Sequence, residues 1–282
     1  MPDLWGLAAI VTKFALYVGV LTAAGTVLAA LIFKLDRYRV PALAFAILGA
    51  AATLFAFALS GANLTGDASG MTDPEMLGLL WTTPVGSALA WRLAGLGLLI
   101  FGLFLGRTGL WMSVGGGVVA VWSFDLLGHV ADRDTWLLDG ALTFHLLAIA
   151  LWIGILTPLR NLASTPQTWD RAADIGHRFG IMASGTVPAL IIAGSYMGYL
   201  LVGSFGALVG TGYGQALILK IVLVGVLLGL AAANKLRFIP ALQTGDPVAA
   251  RHLVQSITVE WGIVLVILAV TAVLTSNLTL PM

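Results

Sequence analysis

The chain contains no cysteine and few charged residues, and each shortage excludes a class of protein. Without cysteine it can form neither a disulfide nor a thiolate metal site, so any nitrogen ligand must be histidine and any soft ligand methionine. Charged residues make up 10% of its 282 residues, whereas a soluble domain carries about 25%. Such a chain cannot cover itself with polar surface. Its net charge of +1 gives no basis for nucleic-acid binding, and we predict none.

Long apolar segments make up most of the chain. Hydrophobic residues account for 59% of it and the mean hydropathy is +1.00, and apolar runs of about 20 residues, enough to cross a bilayer as a helix, recur along it. We therefore predict an all-α polytopic membrane protein with a single integral membrane domain, 1–282. The first run, Leu4–Phe33, is too long for the apolar part of a signal peptide and lacks a basic segment before it, so we expect it to be retained. The eight predicted spans are 5–33, 41–62, 85–106, 109–130, 138–159, 177–203, 213–234 and 253–278.

Lysine and arginine fall in alternate loops, which predicts the orientation of the spans. The loops after the first, third, fifth and seventh spans hold most of them, and the positive-inside rule places these loops in the cytoplasm. Both termini and the loop 129–137 then lie outside, where Arg133 is the one basic loop residue. The cytoplasmic set is Lys34, Arg37, Arg39, Arg107, Arg160, Arg171, Arg178, Lys235, Arg237 and Arg251.

The outside segment 63–84 contains DPEMLGLLW, a short amphipathic sequence that begins with Asp73-Pro74, a helix-start signal. We expect a short interfacial helix here that brings Met71 and Met76 to the outer surface. An ordinary capped surface helix explains the pattern equally well.

Two stretches of the sequence resemble each other. Thr83–Arg92 can be laid over Thr211–Lys220 without a gap; the threonine, a glycine and an Ala-Leu pair coincide, and both stretches end in a cation. Each begins a span that runs inward, and the two spans are four apart. The pattern predicts two four-helix halves, 1–134 and 135–282, in the same orientation, as in transporters with parallel repeats.

Several ionisable groups lie at membrane depth, where they are costly and usually face the bundle interior or water. Arg92 and Lys220 are about two turns, roughly 10 Å, below the outer surface, and Asp125 lies at a comparable depth. Asp125 can pair with either cation, or the cations can snorkel to the interface. The full set is Lys13, Arg92, Asp125, His145, Lys220 and Glu260, with His129 at the mouth.

Asp125, His129 and His145 are the best candidates for a metal or cofactor site. Asp125 and His129 are four residues apart, so they share a helix face. The carboxylate can orient the imidazole or bind a metal itself. His145 lies roughly 12 Å below the outer end of the fifth span, which is expected to be the antiparallel neighbour of the fourth. The three groups can then converge; alternatively, each histidine is only hydrogen-bonded to a neighbour.

Four other residues have a structural explanation beside a functional one. Trp152 is seven residues from His145 on the same face, but an aromatic core residue explains it as well. Glu260 lies about two turns from the inner face and is suited to a proton or ion path. His177 and His252 flank arginines at the inner face, as interfacial polar residues do. We find no set of catalytic residues and expect that the protein is not an enzyme.

Five features occur together in a characteristic order and spacing. They are FDLLGHVAD, TFHLLAIALWIGILTPL, HRFGIMASGTV, GTGYGQALILKIVLVGVLLGLAAANKLRFIPAL and a final span that carries a glutamate. Through them the chain resembles the copper resistance D (CopD/PcoD) family of bacterial inner-membrane proteins. The likeness covers most of residues 70–280, while residues 1–70 share only the general character.

The resemblance implies an eight-helix protein that moves copper across the inner membrane. It also implies a periplasmic copper-binding partner of the CopC type, which we expect to be another chain because these residues include no such soluble domain. The family pattern points to His129, His145 and Trp152. Imidazole and carboxylate suit Cu(II), imidazole with thioether suits Cu(I), and zinc accepts the same ligands. No Met-x-x-Met cluster lies in a span, which does not favour a thioether relay.

The first hypothesis is therefore a copper transporter surrounded by membrane lipid. Copper is received outside near Met71, Met76 and His129, is held by Asp125, His129 and His145, and passes inward between the two halves. Residues expected to support this path are Trp152, Arg92, Lys220 and Glu260.

Two other hypotheses stay open. A haem-binding electron-transfer protein would use His129 with His145, and His177 with His252, as two axial pairs. A copper sensor or assembly scaffold would bind the metal without transporting it.

Overall fold

The computed structural model describes residues 4–127 and 136–276, and within these ranges the secondary structure is helical. Seven helices of this part of the chain are long and apolar enough to cross a membrane, and a further apolar helix, Thr108–Trp122, is shorter. The all-α polytopic architecture is confirmed. The helices are α1 Leu4–Phe33, α2 Arg39–Thr65, α3 Pro74–Trp81, α4 Pro84–Leu103, α5 Gly106–Trp122, α6 Trp136–Ala163, α7 Trp169–Val202, α8 Phe205–Gly210, α9 Gly212–Ala233, α10 Ile239–Gln243 and α11 Pro247–Ser276, with 3₁₀ turns at Ala68–Met71 and Pro166–Thr168 and a π turn at Asn234–Phe238.

Helix α1 lies at the centre of the bundle and packs on α2, α5, α6 and α11. At its crossing with α6, glycines bring the two backbones into contact. A Cβ on Gly25 would overlap the backbone carbonyl of Ala150, and a Cβ on Gly154 would overlap the backbone of Gly25. Gly25 and Gly154 thus allow a close approach of the two helices, and only glycine fits at either position.

The helices of the two predicted halves have matching neighbours. In the first half α1 packs on α2 and α5, and α4 packs on α5; in the second half α6 packs on α7 and α11, and α9 packs on α11. Between the halves, α1 packs on α11, α6 packs on α5, and α1 and α6 pack on each other. A twofold axis along the membrane normal through the α1–α6 crossing would produce these contacts, and the two parallel halves stay a prediction.

Side-chain caps begin three helices at the end of the bundle that the positive-inside rule predicts to lie outside, which we call the outer end, and the opposite end is the inner end. Asp73 caps α3 by accepting the Glu75 N–H at 2.9 Å, so the helix predicted at DPEMLGLLW is confirmed. Thr83 caps α4 by accepting the Val85 N–H at 3.2 Å, and Thr211 caps α9 by accepting a backbone N–H at 3.1 Å. The threonines that coincide in the two similar stretches therefore have the same role.

The glycines that coincide in these stretches also have the same surroundings. Each of α4 and α9 follows a short helix, α3 or α8. A Cβ on Gly86 would overlap the backbone of Trp81 at the end of α3, and a Cβ on Gly214 would overlap the backbone of Leu208 in α8. The two stretches thus share a local structure as well as a residue pattern.

The fourth span is shorter than predicted. Helix α5 ends at Trp122, and turns follow in which the Asp125 N–H donates to the Trp122 carbonyl at 2.9 Å. Such bonds to the third preceding residue tighten the chain instead of continuing the α-helix. Asp125 therefore lies beyond the helix, although the fourth span was predicted to continue to residue 130, and the helix face that it would share with His129 stays a prediction. His129 itself lies outside the described residues.

The inner loops contain more helix than the hydropathy predicts. Helix α7 begins at Trp169, inside the predicted loop 160–178, while α10 and the start of α11 fall inside the predicted loop 234–252. Arg171, in the first turn of α7, pairs with Asp36 at 3.0 Å. These polar ends continue the apolar helices into water, and hydropathy detects only the part in the membrane.

Exposure differs strongly between the spans. Most of the apolar part of α1 is buried, whereas α7 and α9 expose most of theirs. Exposed apolar faces of this size are suited to membrane lipid, so α7 and α9 lie at the edge of the bundle.

Candidate metal site

Asp125 is buried at the outer end of the bundle, between the end of α5 and the start of α6. Its Oδ2 accepts a hydrogen bond from the Thr143 hydroxyl, while its Oδ1 has no hydrogen-bond partner. A cavity of about 400 Å³ opens beside it and is lined by Trp122, Asp139 and Phe144 among others. Asp139 was not among the predicted site residues. It lies one turn before Thr143 on α6, so the two share a helix face, but the role of Thr143 becomes visible only in the structure.

Arg92 is bonded to the turn that carries Asp125, and not to Asp125 itself. Its Nε donates to Ser123 Oγ at 2.9 Å and its Nη2 to the Ser123 carbonyl at 3.3 Å. The guanidinium carbon lies 4.4 Å from the centre of the Phe124 ring. Neither Arg92 nor Lys220 forms an ion pair with Asp125, so neither of the pairs considered for this carboxylate is present. Arg92 instead holds the turn in place.

The outer half of the bundle carries more cations than carboxylates among the spans described. Lys13 donates to the Thr275 carbonyl at 2.6 Å, and the Tyr17 and Thr275 hydroxyls are 3.1 Å apart. Lys13, Arg92 and Lys220 together repel a metal cation at this depth. Carboxylates at the outer cavity therefore matter for any metal that enters there.

His145 lies on the opposite side of α6 from the cavity. Its Nδ1 is buried and has no hydrogen-bond partner. The ring packs towards α7, where a Cβ on Gly194 would lie 3.7 Å from His145 Cε1, and the charge of Lys220 on α9 acts on it. Thr143, two residues earlier, faces Asp125, and residues two apart on a helix do not share a face.

The structure does not bring Asp125 and His145 together. They face different helices, and no group of three or more histidine and carboxylate side chains that could hold a metal occurs within 4–127 and 136–276. His129, the third predicted ligand, belongs to the segment between these ranges. What the described part offers is two separate atoms, Asp125 Oδ1 and His145 Nδ1, each buried and each without a partner.

Met71 and Met76 lie at the outer surface in the segment between α2 and α4. Met71 ends the 3₁₀ turn that packs on α2, and Met76 is in α3, which packs on α2 and α4. Both side chains are half-buried. Nothing in the described structure places either thioether against Asp125 or His145.

Trp152 and Glu260 form a buried contact in the inner half of the bundle. Trp152 Nε1 donates to Glu260 Oε2 at 3.3 Å, and its ring meets Phe179 edge-on at 5.6 Å between centroids. Glu260 is 2% exposed, and its Oε1 accepts a hydrogen bond from Asn234 Nδ2. Trp152 is thus a core residue that also binds a carboxylate. Asn234 was missed because it lies at a span end, where asparagine is common.

His177 and His252 are both exposed and have different neighbours. His177 borders a cavity with Asp170 and Gln243, while the His252 ring lies 5.5 Å from that of Phe238. The described structure therefore offers no buried pair of histidines at the inner face, where the haem hypothesis places one.

Comparison with known proteins finds two family models that match the chain. The model of the "copper resistance protein D-like, N-terminal domain" family matches residues 1–139, and that of the "copper resistance protein D" family matches residues 173–274. The first match includes residues 1–70, where the sequence showed only a general likeness. It ends near the boundary predicted between the two halves.

Among individual proteins, the inner membrane protein YebZ of Escherichia coli (strain K12) is 30% identical over 141 residues. That stretch covers 46% of this chain and 45% of YebZ, so the similarity spans less than half of either protein. No solved structure matches the chain significantly.

Proposed function

Because the chain belongs to the copper resistance D family, we propose that it carries copper across the bacterial inner membrane from the periplasm to the cytoplasm. Family membership gives the protein a copper-related function at the membrane. Its apolar helices and its similarity to an inner membrane protein make it a multi-pass protein of the inner membrane. Copper is the cargo in this proposal, and the side chains of the bundle supply its ligands.

The proposed ligands are Asp125, His129 and His145 on the periplasmic side. The observation that supports them most directly is the His145 ring, whose Nδ1 is buried without a partner. A buried polar atom of this kind is costly unless a ligand completes it. Asp125 Oδ1 is equally unpartnered beside the outer cavity. Imidazole nitrogen and carboxylate oxygen are ligands that Cu(II) accepts.

Because Asp125 and His145 face opposite sides of α6, we assign them successive steps. Copper from the outer surface, where Met71 and Met76 offer thioethers, first meets the carboxylates of the outer cavity. It then moves to His145, on the face of α6 that continues inward to Trp152. The cationic side chains around this route limit how long a metal cation rests there.

A separate periplasmic copper-binding protein of the CopC type would deliver the metal. The outer segment around Met71 includes the acids Asp67 and Asp73, which are suited to a partner with a basic surface. The partnership can be tested by measuring copper transfer from such a protein to vesicles that contain this chain. If the double variant Met71→Leu, Met76→Leu receives copper as well as wild type does, the partnership is contradicted.

The histidines provide the test of transport. His129→Ala, His145→Ala and the size-matched His145→Asn should each abolish copper binding and copper uptake into proteoliposomes, with expression unchanged. His177→Ala is the matched control, because His177 is exposed at the inner end and outside the proposed path. Normal uptake by both the His129 and His145 variants would contradict the proposal. Copper binding by wild type without uptake would indicate a sensor or scaffold instead.

A further inference from the structure

Glu260 is a buried carboxylate whose hydrogen-bond partners are both neutral. Its oxygens accept from Trp152 Nε1 and Asn234 Nδ2. These donors stabilise a carboxylate but leave its negative charge uncompensated inside the bundle. The chain has one other glutamate, Glu75, which is exposed at the outer surface. A carboxylate in the position of Glu260 requires a proton or a cation during at least part of its working cycle.

Several charged groups on the elements around Glu260 are bonded elsewhere. Arg160 of α6 donates to Thr258 Oγ1 at 3.0 Å, and Lys235 of the π turn donates to Ser184 Oγ. Lys13 and Tyr17 of α1 bond Thr275 near the outer end of α11. The other titratable groups on these elements are Asp139 and His145 of α6, Tyr213 and Lys220 of α9, Arg237 of the π turn, and Arg251 and His252 of α11. No salt bridge to Glu260 is found in the described residues.

Asn234 can serve both protonation states of Glu260. Its Nδ2 donates to the carboxylate, and its Oδ1 is buried without a partner. An amide carries a donor and an acceptor on one planar group, so rotation by half a turn lets Oδ1 accept the O–H of a protonated Glu260. Asn234 is the first residue of a π turn, a feature that frequently marks functional sites.

A polar face of α11 connects Glu260 to the cytoplasmic end of the bundle. His252, Ser256 and Glu260 are four residues apart in sequence, so they lie on one face with a rise of about 6 Å per step. His252 is exposed at the inner end, and Ser256 Oγ is buried without a partner. A hydroxyl both donates and accepts, so Ser256 can pass a proton between the imidazole and the carboxylate, directly or through one water.

From these contacts we infer that Glu260 is a proton-binding site that exchanges its proton with the cytoplasmic face through Ser256 and His252, with the Asn234 amide turning to match each state. The inference rests on the proposed copper transport and makes the proton the coupled ion. One O–H bond forms on Glu260 when a proton arrives from water and breaks when the proton returns to water. No electron moves and no other reactant is consumed.

Infrared difference spectroscopy of the purified protein in lipid tests the site without copper. Across about pH 4 to 9, which covers ordinary and buried carboxyl groups, wild type should show a protonated-carboxyl band that shifts when the glutamates carry ¹³C. Glu75→Gln is the matched control and should keep the band, while Glu260→Gln should lose it. Absence of the band from wild type, or its persistence in Glu260→Gln, would overturn the inference.

Copper uptake into proteoliposomes under an imposed pH gradient tests the coupling. Uptake by wild type and by Glu75→Gln should respond to the gradient, while Glu260→Gln should lose the response and Ser256→Ala should weaken it. If copper uptake by Glu260→Gln responds to the pH gradient as strongly as wild type does, the coupling of copper to protons is overturned. If wild type takes up no copper at all, the proposed function fails, while the infrared titration still decides whether Glu260 binds a proton.

Discussion

Replacing Trp152 by phenylalanine removes one hydrogen bond to Glu260 and also reduces the volume of a buried side chain. The bond spans 3.3 Å, and phenylalanine keeps an aromatic ring beside Phe179. A hydrogen bond to a charged group contributes about 1.5–3 kcal/mol in soluble proteins, and interhelical polar contacts in membranes contribute about 0.6 kcal/mol on average and up to about 1.7 kcal/mol. Because the bond is long but its acceptor is buried, we expect the loss of this bond in Trp152→Phe to lower the free energy of unfolding by about 1–1.5 kcal/mol, in addition to the cost of the lost volume.

The chain offers a matched control one residue beyond Glu260. Trp261 Nε1 donates to the neutral Thr157 Oγ1 at 3.2 Å near the surface, so Trp261→Phe should cost only about 0.5 kcal/mol. Unfolding by dodecyl sulfate in mixed micelles measures both variants. In a Glu260→Met background the cost of Trp152→Phe should fall by about 1 kcal/mol, while that of Trp261→Phe should not change. Equal costs for Trp152→Phe in the two backgrounds would refute the reasoning, because the two side chains would then not be coupled.

Three further predictions concern the bundle, the outer site and the absence of haem. Gly154→Ala should destabilise the protein by about 1–3 kcal/mol because its Cβ would overlap the backbone of α1. Gly225 has open space around it, so the control Gly225→Ala should be neutral or stabilising by up to about 1 kcal/mol. Similar costs for both variants would contradict the α1–α6 contact. Thr143→Val removes the hydroxyl that binds Asp125 Oδ2 and should weaken copper binding, measured by equilibrium dialysis, about tenfold. Thr143→Ser keeps the hydroxyl and should bind copper about as well as wild type. Equal affinity of the two variants would argue against a ligand role for Asp125. The visible spectrum of the purified protein should lack a Soret band, and a Soret band that disappears in His145→Ala would favour haem.

The membrane architecture could be predicted from the sequence because it depends on local properties. Apolar runs of span length, the Asp-Pro start of α3 and the alternating basic loops are each visible within a few residues. Gly154 was also predictable as a point of close approach, since a small residue in a span usually permits contact between helices. What the sequence could not show is that its partner is Gly25, more than a hundred residues away, because that pairing depends on how α1 and α6 cross.

The geometry around Asp125 could not be predicted for the same reason. The spacing of Asp125 and His129 fits a shared helix face, but α5 ends at Trp122 because its last turn tightens. Thr143, not a cation, binds Asp125. The ligand roles of His129 and His145 stay predictions that mutagenesis must test.

The sequence by itself determined the all-α membrane architecture, the Asp-Pro start of α3, the residue types available as ligands and the family, since all of these depend on composition and local pattern. Only the tertiary structure decided which side chains meet. It turned Asp125 and His145 to opposite sides of α6, and it placed Asn234 and Trp152 on the two oxygens of Glu260. The physical reason is that hydrogen bonding inside a membrane bundle is a property of helix rotation and crossing. These are set by packing along whole helices, and no short stretch of sequence contains that information.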